Sequence, residues 1–276
     1  MLTGSYRIKL LAAGSVRANL LGFTQVTGAG AADALSERPV AVDASQTGSV
    51  VNFGIPDAQN GDITISGYVI GHDAINLYGG YGPNGLPNVQ LTASGIFETR
   101  NGNIELSPVG HTVLQGTLAA RGDNASIIIN AHDTLELRGD LVANRDIIIT
   151  AGSAVKAGEA SITTYGTAHL VSEGGSGRVM ITGLNNVVID SRIVDLDLTT
   201  IDQITQVTMT DTRQALVNGA IRDLQLVQVL SNQGTMTLGS NGVIDTGGQI
   251  NLGGNNVSLQ GWIKSQRNTA SLLDYE

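Results

Sequence analysis

Cysteine is missing altogether from the 276 residues. That excludes a disulfide scaffold and every thiolate-based metal or redox site. Aromatic residues are scarce at 4%, so a core built from the 41% hydrophobic residues must consist of Ile, Val, Leu and Ala. Proline occurs only 5 times. No apolar run reaches the roughly 18 residues that a membrane span requires. Lys and Arg form no cluster and the formal net charge is −9, the opposite of the basic patch that a nucleic-acid binder carries. The start of the chain contains Leu10, Leu11, Ala12 and Ala13, but Arg7, Lys9 and Arg17 interrupt it, so it does not read as a secretory signal. If the protein is secreted, its export signal is expected outside this chain, which is then a piece of something longer.

Glycine, by contrast, is abundant at 36 residues, and it alternates with β-branched runs such as Ile127-Ile128-Ile129 and Ile147-Ile148-Ile149. Disordered glycine-rich chains lack such runs; short strands separated by turns account for both features. A repeat is visible. Ser126 to Ala143 forms one unit, and Asp146 to Ala157 repeats its first two-thirds twenty residues on. Further copies open at Gly61, Gly102, Arg178 and Gly234. Each unit holds two or three short strands with apolar residues at every second position, parted by Gly, Asn or Asp.

A three-residue strand cannot bury its apolar face alone. Stacking successive units at about 4.8 Å places like positions above one another and pairs each strand, in parallel, with the strand one unit later. The predicted fold is therefore all-β: a single-stranded parallel β-helix, or solenoid, of about 20 residues per coil. Gly and Asn at the corners are expected to supply positive φ angles. The shaft is expected over residues 1–264, with irregular loops near 31–37 and 79–87. Residues 265–276 read as a polar tail or linker. Thr199 to Val229 alternates only weakly around Val207 and Met209. Inward residues are expected among Ile128, Ile148, Val179 and Ile181. A solenoid also exposes an unpaired strand edge at each end, so neighbouring coils of a longer chain or head-to-tail self-association are the expected partners.

The segments Gly61 to Ile65 (Gly-Asp-Ile-Thr-Ile), Leu137 to Ala143 (Leu-Arg-Gly-Asp-Leu-Val-Ala) and Arg145 to Gly152 (Arg-Asp-Ile-Ile-Ile-Thr-Ala-Gly) resemble the repeats of the filamentous-haemagglutinin-like exoproteins, the passengers of two-partner secretion. Ser5 to Gly14 (Ser-Tyr-Arg-Ile-Lys-Leu-Leu-Ala-Ala-Gly) is similar to a segment that recurs in the largest of them. The resemblance spans residues 1 to 264 and implies a long right-handed β-helix, export to the cell surface, and adhesion or cell–cell contact with host or bacterial glycans or receptors. The family's N-terminal secretion domain, with its Asn-Pro-Asn motif, is absent, so the resemblance implies an internal shaft segment.

Two Arg-Gly-Asp triplets, Arg121-Gly122-Asp123 and Arg138-Gly139-Asp140, are the candidate adhesive loops. The plainer reading is that Gly-Asp is the natural corner of this repeat, as at Gly61-Asp62. The four histidines, His72, His111, His132 and His169, are separated by close to two, one and two coils, and His72-Asp73 and His132-Asp133 read as equivalent positions. Only His111 and His132 are placed to meet on neighbouring coils, so surface histidines are expected and no metal or other cofactor.

Many β-helices bind or cleave polysaccharides, as lyases, hydrolases or tailspikes, which is the alternative class. Hydrolysis needs two carboxylates facing one sugar bond. Asp62, Asp73, Asp133, Asp140 and Asp146 instead fall at corners or strand starts, where solvated turn residues belong. Arg7-Ile8-Lys9 is similar to one polygalacturonase motif, but the paired aspartates and Gly-His-Gly of that family are missing, and Trp262 is the one tryptophan. The sequence thus reads as a structural or adhesive shaft and not as an enzyme. Asn185, Asn186, Asn255 and Asn256 are expected in stacked columns that satisfy corner backbone groups.

Overall fold

The computed structural model describes residues 2–3, 8–10, 16–19, 41–44, 47, 50–53, 63–79, 89–93, 95–152, 161–165, 168–172, 178–183, 186–189, 192–195, 206–211, 214–222, 226–265 and 270–274. Their regular structure is thirty β-strands with no helix among them. Every strand pairing is parallel, and each strand meets its counterpart one coil on. This is the β-solenoid that the repeat predicts.

Each coil presents three faces. The first face is an eleven-stranded sheet that begins at Leu2–Thr3 and ends at Trp262–Ser265. Adjacent parallel strands lie about 4.8 Å apart, so this face runs for about 50 Å along the axis. The second face is carried by strands such as Asn103–Pro108, Ile127–Ala131 and Ile147–Ala151, stacked in register. The third carries Thr112–Leu114, Leu135–Leu137 and Ser161–Thr164. Near the C-terminal end, Leu226–Leu238 and Gln249–Leu259 each run through the corner from the second face to the third, with a register shift between Ser231 and Thr235.

Coil length varies. Paired residues are 20 apart at Ile129 and Ile149, 23 at Leu118 and Leu141, 29 at Leu141 and Leu170, and 32 at Ile149 and Ile181. The strands keep their length, so the extra residues lie between them. Within the weakly alternating 199–229 stretch, the strand Gln206–Asp211 belongs to the stack: Val207 and Met209 hold the register positions of Val179 and Ile181. The shaft also runs past residue 264, since Ala270–Asp274 pairs with residues 250–254 and adds a strand to the second face. The 31–37 loop and residues 80–87 lie outside the described residues.

The interior is aliphatic. Ile127, Ile129, Leu135, Leu137, Leu141, Ile147 and Ile149 are all fully buried. Phe53 and Phe97 add a stacked ring pair in the interior, with centroids 5.4 Å apart. Of the four residues expected to supply inward positions, Val179 and Ile181 are buried, whereas Ile128 and Ile148 face outward and are only half-buried. Alternation forces this: Asn130 is exposed one position beyond Ile129, so Ile128 shares the outer side with it.

The corners use glycine chiefly for close approach. Positive φ occurs at Gly67 (φ 99°) and Gly152 (φ 115°). At Gly102, Gly116, Gly122 and Gly139 the constraint is the coil next door, because its backbone lies where a β-carbon would sit.

Candidate functional site

The two Arg-Gly-Asp triplets occupy different corners. Arg121-Gly122-Asp123 links the first face to the second, between Thr117–Ala120 and Ile127–Ala131. Arg121 and Asp123 are exposed and Gly122 is buried. A β-carbon on Gly122 would lie 2.4 Å from the Asn101 carbonyl oxygen of the neighbouring coil. The Arg121 N–H donates to the Thr99 carbonyl at 2.9 Å, and its own carbonyl accepts from the Asn144 amide at 2.8 Å. The backbone of this triplet is therefore stitched to the coils on both sides.

Arg138-Gly139-Asp140 links the third face to the first. A β-carbon on Gly139 would lie 2.0 Å from the Gly116 carbonyl oxygen. The Arg138 guanidinium donates to Glu136 Oε2 at 2.8 Å and lies 4.0 Å over the Tyr165 ring. Asp140 Oδ1 sits 2.8 Å from His169 Nδ1 and accepts the His169 backbone N–H at 3.2 Å. Both charged ends of this triplet are thus bonded to residues of its own or the next coil. The structure does not bring the two triplets together.

Around Arg138 the outer side of the third face carries a polar cluster of His111, Glu136 and Tyr165 on three successive coils. His111 Nε2 lies 3.1 Å from Glu136 Oε1, and the Tyr165 hydroxyl donates to Glu136 Oε2 at 3.2 Å. Partial burial works against the Glu136 charge. Hydrogen bonds from Arg138 and Tyr165, with the charges of His111 and Arg138, outweigh it and hold the carboxyl below its usual value. The folded carboxylate therefore ionises at lower pH than the unfolded one. The cluster stabilises the coil above the ordinary carboxylate range, and that contribution is lost as pH falls through the depressed value. Glu136→Gln is expected to flatten this acid-side loss; urea midpoints followed from neutral to acid pH check it.

A second cluster forms a ladder at the start of the second face. Asn103, Ser126, Asp146 and Arg178 hold one register position on successive coils. Each side chain accepts the backbone N–H of the next: Asn103 Oδ1 from Ser126 at 3.0 Å, Ser126 Oγ from Asp146 at 3.3 Å, and Asp146 Oδ1 from Arg178 at 2.9 Å. Arg178 also donates from its guanidinium to Asp146 Oδ2 at 2.9 Å. That hydrogen bond and the carboxylate's charge raise the Arg178 pKa. Asp146 is consequently buried, 5% exposed, and is not the solvated turn residue that its corner position predicts. The sequence signal for the ladder lies in the residue before each apolar run: Asn103, Ser126, Asp146 and Arg178.

The histidines do not converge. His72 lies at the first-to-second corner, bonded to Asp73, while His132 lies at the second-to-third corner, so the two are not equivalent. His111 precedes the third face one coil before His132, and its ring turns to Glu136. Among the described residues no group of three or more His, Asp or Glu side chains is arranged to hold a metal ion. Asp62 falls outside them. Asn186 and Asn256 do share a column, but Gln214 and Thr235 stand between them.

Protein-family models, curated proteins and solved structures offer no match to this chain.

Proposed function

We propose that this chain is a length of stiff shaft in a secreted bacterial surface exoprotein of the filamentous-haemagglutinin-like kind. Its work is to hold contact-making elements away from the cell. The observation that carries the reading is the direction of the outer polar bonds. His111 to Glu136 to Tyr165, Asp140 to His169, and Asn103 to Arg178 all run along the axis and tie one coil to the next. Charged side chains that another protein would present to a ligand here hold the rod together. The resemblance to exoprotein repeats supports the same reading, since Arg145 to Gly152 covers one full strand of the stack, Ile147–Ala151.

A polysaccharide-active site requires two carboxylates open to one sugar bond. The Glu136 and Asp146 carboxylates are bonded to Arg138 and Arg178 instead. The test is cell-surface accessibility. Antibodies raised against the folded chain are expected to label intact cells of the source bacterium and to lose their target after external protease. Labelling only after lysis would overturn the reading.

A further inference from the structure

On the second face the outer positions fall in three columns that run along the axis. Six coils, from residues 126–130 to residues 249–253, share this register. The middle column opens with Ile128, Ile148 and Met180, all half-buried on the outer side of the wall. Among the described residues, the three columns hold only two charged side chains over these coils. These are Asp146 and Arg178, and they are bonded to each other. In a chain of net charge −9 this sets the second face apart from the other two. The first carries Glu98, Arg222, Asp245 and Lys264 at outer positions, and the third carries Glu136.

We propose that the second face seats a second copy of this chain: two shafts lie side by side, second face to second face, and run in the same direction. The order of the columns selects this arrangement. A two-fold axis parallel to the shaft sets every coil against the same coil of the other copy and reverses the order of the columns. The middle column then meets itself, so Ile128, Ile148 and Met180 each stand opposite their own counterpart. The flanking columns cross over: Ser126 faces Asn130, Asp146 faces Thr150 and Arg178 faces Thr182. Apolar meets apolar, each charged side chain meets a hydroxyl, and no charge meets its like. The same operation on the third face would set Glu136 against Glu136. Shafts running in opposite directions bring at most one coil against itself. With all six coils overlapped, they set Ile128 against Asn251 and Ile148 against Gln228. Columns about 7 Å apart and coils about 4.8 Å apart make the face about 20 Å wide and about 29 Å tall. It offers on the order of 600 Å² to each partner, about 1,200 Å² in all, which reaches the lower bound of a stable interface. The contact is isologous and closes on itself, so the product is a dimer. The inference deepens the shaft reading and rests on it for its purpose, since a pair bonded along its length bends less than one rod; surface labelling and pairing in solution fail independently.

Sedimentation velocity tests it on the whole chain. The unaltered protein is expected to pass from monomer to dimer as its concentration rises to about 100 µM. Ile148→Lys and Ile148→Glu are each expected to remain monomeric, because the new charge stands opposite itself, and their equimolar mixture is expected to dimerise. The same is expected of Met180→Lys and Met180→Glu, since only shafts that run in the same direction let both levels meet themselves. Val142→Lys, at an outer position of the first face, is the control and is expected to dimerise like the unaltered chain. An unaltered chain that stays monomeric, dimers of any one of the four charged forms alone, a mixture at either position that stays monomeric, or loss of dimers in the control overturns the proposal. Circular dichroism checks that the charged forms fold. If they do not, Ile148→Thr with Met180→Thr replaces them, the residue type that Thr208 brings to the same column. This form is expected to dimerise at least about tenfold more weakly. Undiminished dimerisation in it overturns the proposal.

Discussion

Truncating Ile149 to alanine is expected to cost about 2–5 kcal/mol, and Ile129→Ala the same. Both side chains are fully buried and stand on each other in one column, with Leu106 on one side and Ile181 on the other. A methylene removed here leaves a gap between coils that the ladders hold at fixed spacing, so the surroundings cannot collapse into it. Ile128→Ala and Ile148→Ala are expected to cost about 1 kcal/mol or less, because these residues stand half-buried on the outer side. Urea midpoints at unchanged slope measure all four. Equal losses in the two pairs would mean that the strands face the other way.

Gly139→Val is expected to cost about 3 kcal/mol, and the triplet in which it sits makes the result informative. The added β-carbon would lie 2.0 Å from the Gly116 carbonyl oxygen and 2.5 Å from that of Gln115. Both are backbone atoms of the neighbouring coil, which can yield only by breaking the stack, so the cost falls at the upper end of ordinary overpacking. Gly247→Ala is the control, since nothing lies within 4 Å of its β-carbon position, and it is expected to leave thermal stability unchanged. A Gly139→Val chain as stable as the parent would mean that the coils do not approach closely at this corner. The glycine would then be free to serve an exposed adhesive loop.

The fold was legible because its two signals are local. Alternation marks a strand wherever it recurs, and the twenty-residue echo between Ser126 and Asp146 marks a coil. The phase of the triple-isoleucine runs was also in the sequence: Asn130 and Thr150 sit at outer positions, which fixes Ile128 and Ile148 beside them. Equivalence of corners was not legible. Gly71-His72-Asp73 and Ala131-His132-Asp133 look alike because both precede a strand with the same alternation, yet they turn different corners. Coil length misled for the same reason: the 32 residues from Asp146 to Arg178 exceed one nominal period, which hides the ion pair between them. The Glu136 cluster joins three coils through residues 25 and 29 apart, a spacing that no single repeat length shows.

Register is the central claim, and the absence of cysteine makes it directly measurable. Ile128 and Ile148 are paired partners at outer positions of adjacent strands. Adjacent strands bring α-carbons to about 4.8 Å, within the range a disulfide spans. Ile128→Cys with Ile148→Cys is expected to oxidise to an intramolecular disulfide in the folded protein. Ile128→Cys with Thr150→Cys, displaced by two residues along the strand, is expected to remain reduced under the same conditions. A disulfide in the displaced pair, or in neither, would contradict the in-register parallel stack.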